Sequence, residues 1–160
     1  MVSENLESRI SKVEAIGEIK NLQAKYCYLI DTRQIEKVGD LFADQFVAEY
    51  VGVGTYTTKA ALSEHLNDVT TSCSMLYHQI MNSYVEVDGD KATGAWYLFG
   101  PFTRITPSGD IPFWTQGKYE NEFIKVDGKW KLSHLKFERN MRSPYEDGWV
   151  KTRILNWQMQ

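Results

Sequence analysis

Two Asp-Gly pairs in the second half of the chain, Asp88-Gly89-Asp90 and Asp127-Gly128-Lys129, restrict the fold more than any other feature. Each lies between long stretches of alternating apolar and polar residues. Asp-Gly tolerates the positive φ that tight hairpin turns demand. A third connection, Thr106-Pro107-Ser108-Gly109-Asp110, separates two further stretches. Four strands are therefore expected at Gln79–Val87, Lys91–Leu98, Pro112–Val126 and Lys129–Asn140. Within the third, Tyr119, Asn121 and Phe123 alternate with Lys118, Glu120 and Glu122, which predicts one solvated face.

The first third follows a different period. Val13, Ile16, Ile19, Leu22, Tyr26 and Ile30 recur at three- and four-residue steps, which predicts a helix ending near Asp31-Thr32. Gly17 costs that helix about 1 kcal/mol relative to Ala. A short helix with Ile35, Val38, Leu41 and Phe42 as its buried stripe follows, then a strand at Phe46–Val51 and a turn at Gly52 and Gly54 before Tyr56. A third helix, Thr58–Val69, is expected to bury Ala61, Leu62, Leu66 and Val69. Helices first and antiparallel strands after them indicate an α+β domain with helices covering one sheet face. Such a sheet, if long and curved, encloses a largely apolar pocket, and the 21 Phe, Trp and Tyr residues can supply its walls.

Charge and motifs remove several functions. With 18 Lys+Arg against 21 Asp+Glu the chain carries a net charge of -3, the wrong sign for a phosphate-binding surface. No apolar run approaches the roughly 20 residues that span a bilayer, and the first residues do not form a secretory signal, so a cytoplasmic protein is expected. Cys27 and Cys73 are expected as free, half-buried thiols. The three histidines lack metal-ligand spacing, and no phosphate-cradling glycine loop or nucleophile elbow is present, so neither metal nor cofactor is implied.

Asp31 follows Leu29-Ile30 at the end of an apolar helix, where the dipole disfavours a carboxylate. It reads either as a helix stop facing water or as a functional acid. His78, opening a strand after Met75-Leu76-Tyr77, is a candidate general base, or else a satisfied core histidine. Tyr26 lies on the apolar stripe with a hydroxyl that needs a partner, unless it merely packs. Arg139, in phase with Leu135 and Phe137, is aimed inward or ends in solvent. His134 shares a face with Trp130 and Leu132 and is read as structural, and His65 as exposed.

Taken in order, Ile19-Lys20-Asn21-Leu22, Lys25 to Asp31, Leu41-Phe42, Gly54-Thr55-Tyr56, Tyr77-His78-Gln79, Val85 to Ala92 and Asp127 to Leu132 resemble the SnoaL-like branch of the NTF2-like superfamily over roughly residues 10–142. The resemblance implies a conical α+β barrel (domain 1–142) around a hydrophobic pocket. It also implies cofactor-independent chemistry of the dehydratase, dehydrochlorinase or formaldehyde-lyase kind on a bulky hydroxylated aromatic or polycyclic molecule. Asp31 and His78 match the acid and histidine that pair in such enzymes, and Tyr26 and Arg139 match a helix tyrosine and a pocket arginine. Tyr56, Trp96, Leu98, Trp114, Tyr119 and Phe137 are the expected substrate-binding walls. The same parts suit a proton-shuttling isomerase, and the superfamily also holds non-catalytic binding modules. Where one dehydratase of the family carries a second acid, this chain has Phe99-Gly100-Pro101, which speaks against steroid dehydration. The resemblance suggests a homo-oligomer, a trimer before a dimer. The aromatic tail 143–160, with Trp149 and Trp157, is expected to pack on a neighbouring subunit or on its own chain.

Overall fold

The computed structural model describes residues 5–155. Helix α1 spans Leu6–Asp31, with the Asn5 side chain capping its first turn by accepting from Ser8 N–H at 2.8 Å. Its buried stripe is Ala15, Ile19, Gln23, Tyr26, Cys27, Leu29 and Ile30. Val13, expected to be inside, is exposed because the first turns of the helix run beyond the sheet. A 3₁₀ helix Ile35–Leu41 leads into β1 (Phe42–Tyr50), which begins earlier than the alternation suggests. Strand β2 (Gly54–Tyr56) and helix α2 (Lys59–Thr71) follow, then β3 (Cys73–Leu76) and β4 (Gln79–Asp88). The chain continues as β5 (Lys91–Arg104), β6 (Ile111–Val126), β7 (Lys129–Pro144) and a single turn α3 (Gly148–Lys151).

The strands form one curled sheet in the order β2-β1-β7-β6-β5-β3, with β4 also paired to β5. All pairings are antiparallel except β1 with β7. Both Asp-Gly hairpins form. Asp127 and Gly128 sit at φ 49° and 74° between Val126 and Lys129, and Gly89 sits at φ 58°. Strand β5 runs past the expected Leu98 to Arg104, and β7 past Asn140 to Pro144. The chain beyond folds back on β7. Arg142 N–H donates to the Arg153 carbonyl at 2.9 Å, and Leu155 N–H donates to the Arg142 carbonyl at 2.6 Å. Trp149 is exposed, and Trp157 lies outside the described residues.

The main core lies between α1 and the concave face of the sheet, where Trp96, Leu98, Tyr119, Phe123, Leu132 and Leu135 are buried. One polar link fastens the helix there. Asn121 Nδ2 donates to Gln23 Oε1 at 2.7 Å, while Asn121 Oδ1 accepts from Lys136 N–H at 3.1 Å. Buried polar groups cost about 1–3 kcal/mol when unpaired, so this link fixes the register of α1 on the sheet. Cys27 and Cys73 are free thiols and fully buried rather than half-buried. No helix among the described residues is long and apolar enough to cross a membrane.

Candidate active site

Asp31, the last residue of α1, meets His78 in the link between β3 and β4. Its carboxylate is used twice. Oδ2 accepts from the His78 backbone N–H at 2.8 Å, and Oδ1 lies 2.5 Å from Nδ1. An ionised carboxylate only accepts, so Nδ1 carries the proton and Nε2 is left with the lone pair. The side chains retain 17% and 9% of their exposure, and the Phe102 ring closes edge-on against the imidazole with centroids 4.9 Å apart. The helix end is unfavourable for an isolated acid, and two N–H donors offset it.

Backbone geometry delivers His78 to this point. Leu76 pairs with Phe102 and Gln79 with Phe99, so Tyr77 and His78 cross over Gly100 and Pro101. A Cβ at Gly100 would lie 1.8 Å from the Tyr77 carbonyl oxygen. Only glycine permits that crossing. Phe99-Gly100-Pro101, the segment that lacks the second acid of one family dehydratase, thus also has a structural part, because Gly100 seats the link that carries His78.

His78 opens onto a cavity of about 560 Å³, within the range of small-molecule sites. The cavity lies beyond the core, between the far ends of β5, β6 and β7, helix α2, the turn after β1, and Ile154-Leu155. Tyr26, fully buried, reaches it from α1, and its hydroxyl is 2.6 Å from that of Tyr50. Burial, and then the neighbouring Tyr50 and Tyr119, push the Tyr26 hydroxyl well above its usual range, so it stays protonated. Arg139 lines the cavity with its guanidinium 5.8 Å over the Phe137 ring, and its Nε is buried without an acceptor. Burial lowers its pKa, countered by Tyr119 and Cys73.

Among the expected wall residues, Tyr119 and Phe137 line this cavity, while Tyr56 stacks on His65, with ring centroids 4.6 Å apart. Trp96 and Leu98 do not line it. They share the concave face with Phe102 and Arg104 but lie further back along β5, in the core under α1. Trp114 takes the opposite parity, since Phe113 and Thr115 face inward and Trp114 stacks on Phe99 on the other side of the sheet. His134 does not continue the face of Trp130 and Leu132. A bulge at Ser133 intervenes, and His134 lies 3.5 Å from Glu49.

Five polar residues of the wall are not singled out in the sequence analysis: Tyr50, Ser72, Arg104, Thr115 and Arg142. Tyr50 was findable, because Phe46, Ala48 and Tyr50 alternate inward on β1. His65, expected to be exposed, is half-buried and lines the cavity beside Leu66, one turn after Leu62. Burial lowers its pKa, Asp68 raises it and Arg139 lowers it further, so it is neutral near pH 7.

A curled sheet covered by helices, with an acid–imidazole pair opening into its hollow, is an architecture of the NTF2-like type. Residues 11–136 match the SnoaL-like domain, and the chain belongs to that family. Solved structures agree on the fold. A type 2 hexachlorocyclohexane dehydrochlorinase (LinA) superposes with a TM-score of 0.79 at 23% identity, over 86% of this chain and 93% of that one. A putative scytalone dehydratase from Novosphingobium aromaticivorans gives 0.72 at 20% identity, over 83% and 89%. A putative aromatic ring hydroxylase from the same organism gives 0.74 at 24% identity, over 84% and 96%. No curated protein matches the sequence.

Proposed function

We propose that the protein is a cofactor-independent lyase that eliminates water or formaldehyde from a bulky hydroxylated aromatic or polycyclic molecule. The observation that carries this reading is the His78–Asp31 pair, held by two hydrogen bonds, with His78 in the wall of the cavity. Nε2 of His78 takes a proton from carbon beside the leaving group, or from the hydroxyl of a primary alcohol; in the second case the O–H electron pair forms the C=O of formaldehyde as the C–C bond breaks, and the released carbon pair takes the proton back from the imidazolium. Asp31 holds the tautomer and stabilises the imidazolium that forms. In dehydration the C–H electron pair becomes the new double bond, and hydroxide departs with a proton returned from the imidazolium. Tyr26, supported by Tyr50, donates to the departing oxygen, and Arg139 offsets developing negative charge. General base catalysis contributes about 10²–10⁴-fold, so orientation in the cavity supplies much of the rest. Dehydrochlorinase and scytalone dehydratase relatives on the same fold are in keeping with elimination chemistry.

The test incubates the protein with a panel of hydroxylated aromatic and polycyclic alcohols and reads products by mass spectrometry. A lyase releases the mass of water or formaldehyde, and His78→Ala abolishes the release. Products of unchanged mass would make it an isomerase. Turnover retained in full by His78→Ala would remove the base from the mechanism.

A further inference from the structure

His65 stands in the cavity wall and has no part in the elimination chemistry. Packing sets its place. The ring stacks on Tyr56 with centroids 4.6 Å apart and an interplanar angle of 17°, and it lies tilted against Tyr50 at 4.8 Å. Two tyrosines, from β2 and β1, thus fix the plane of the imidazole. Stacking occupies the face of a ring, and both nitrogens sit on its edge. Among the described residues neither nitrogen has a hydrogen-bond partner.

The fold separates His65 from the acid–imidazole pair. Strand order β2-β1-β7-β6-β5-β3 puts Tyr56 and Tyr50 toward one edge of the curled sheet. His78, which follows β3 and packs on Phe102 of β5, lies toward the other. Both histidines line the same cavity. A molecule that reacts at His78 and fills the cavity therefore meets His65 with its far end.

The charge state of the ring decides what that end carries. Burial, and beyond it the Arg139 charge, outweigh Asp68 and keep His65 neutral near pH 7. A neutral imidazole presents one N–H and one lone pair. A hydroxyl both donates and accepts, so it pairs with either nitrogen. A protonated amine only donates. It would also meet the charge of Arg139, whose guanidinium lies over Phe137, the partner of Tyr50 across β1 and β7.

We propose that His65 binds a second, non-reacting hydroxyl of the substrate, a phenolic one carried on the end of the molecule remote from His78. The inference rests on the cavity being the substrate site, as the lyase reading requires, and it narrows the substrate class to aromatic molecules hydroxylated at both ends.

NMR titration of the wild-type protein with 2-naphthol and with the nearly isosteric 2-methylnaphthalene tests it directly. Naphthol is expected to bind about 3–10-fold more tightly, the strength of one neutral hydrogen bond. It should also move the nitrogen-15 resonances of the His65 ring well beyond the effect of methylnaphthalene. His65→Phe keeps an aromatic ring against Tyr56 and Tyr50 and removes both nitrogens, so it should bring the two affinities together. Equal affinities in the wild type, or His65 resonances that naphthol leaves in place, overturn the proposal. So does a naphthol preference that persists undiminished in folded His65→Phe, or one that His78→Ala abolishes and His65→Phe does not. If His65→Phe does not fold, the wild-type affinities and resonances decide. The readout needs no turnover. A product screen that finds no elimination therefore leaves a measured hydroxyl preference at His65 standing, and equal affinities leave the elimination chemistry to its own test.

Discussion

Replacing Asp31 by Asn tests the candidate site at its most constrained point. The carboxylate accepts two hydrogen bonds from one residue, from the His78 backbone N–H at 2.8 Å and from Nδ1 at 2.5 Å. An amide has a single acceptor oxygen. If that oxygen stays on the backbone N–H, the amide N–H faces Nδ1, which must then be unprotonated, and the proton moves to Nε2, the atom required as base. If the amide flips, the backbone N–H of His78 loses its acceptor and faces a second donor. Neither orientation preserves the pair. In a serine protease triad the same exchange lowers kcat by about 10⁴ through the wrong tautomer, and a loss of about 10³–10⁴ is expected here. Losing a charge-assisted bond between largely buried groups costs about 1.5–3 kcal/mol, or about 3–12 °C in Tm for a chain of this size. The assays are turnover of a substrate found in the panel screen, thermal unfolding by circular dichroism, and nitrogen-15 NMR of the imidazole. The NMR spectrum should show Nδ1–H in the wild type and its loss in the variant. Activity within about 10-fold of wild type, or an Nε2–H tautomer in the wild-type protein, would refute the reasoning.

Gly100→Ala places a methyl group against the Tyr77 carbonyl, so the link carrying His78 must shift. A displacement near 1 Å costs about 10² in kcat, and overpacking costs about 1–3 kcal/mol, read by kinetics and urea unfolding. Tyr50→Phe leaves the buried Tyr26 hydroxyl without its 2.6 Å partner. A destabilisation of about 1–3 kcal/mol is expected, and one below a few tenths would mean that the hydroxyl finds another acceptor. His65 should titrate below its ordinary value of 6.5, measured by NMR. Because its folded pKa is depressed, the unfolded chain takes up the proton first. The stability its neutral burial contributes is present above about pH 6.5 and is lost as pH falls through the lowered folded value. His65→Gln should therefore lessen the loss of stability on the acid side, and a His65 midpoint above 6.5 would contradict this account.

Local signals in the sequence reached the elements and part of the site. The 3.6-residue period placed Tyr26 and Ile30 inside, and two Asp-Gly pairs placed the hairpins. The Asp31–His78 juxtaposition followed from resemblance, since neither residue's spacing predicts a contact across 47 positions. Side-chain parity was read well where the strand is regular, as on β6 from Tyr119 to Phe123. Depth along a strand was not legible. Trp96 and Leu98 have the inward parity expected of a wall, but α1 covers that stretch of β5, and the open hollow begins only at Phe102. The position of a helix over a sheet is a tertiary fact, fixed here by the Gln23–Asn121 link that no periodicity announces.

Strand β7 shows why this limit is physical. It carries two extra residues relative to β6, Ser133 and Asn140, and each reverses the inward set. Leu132 faces in, then Leu135, Phe137 and Arg139, then Arg142. Five residues that a strict two-residue period distributes over both faces thus share one. The first bulge lets β7 follow the curl of the sheet around the core, since bulges bend a strand and increase its twist. The second falls where the core ends and the cavity begins, and it turns a second cation into the hollow. Arg142 thereby stands near Arg139, and burial first, then Arg139, lowers its pKa. A strand that is regular through most of its length thus breaks register where it meets the cavity, and the side chains it turns inward there follow from the bulge rather than from the period.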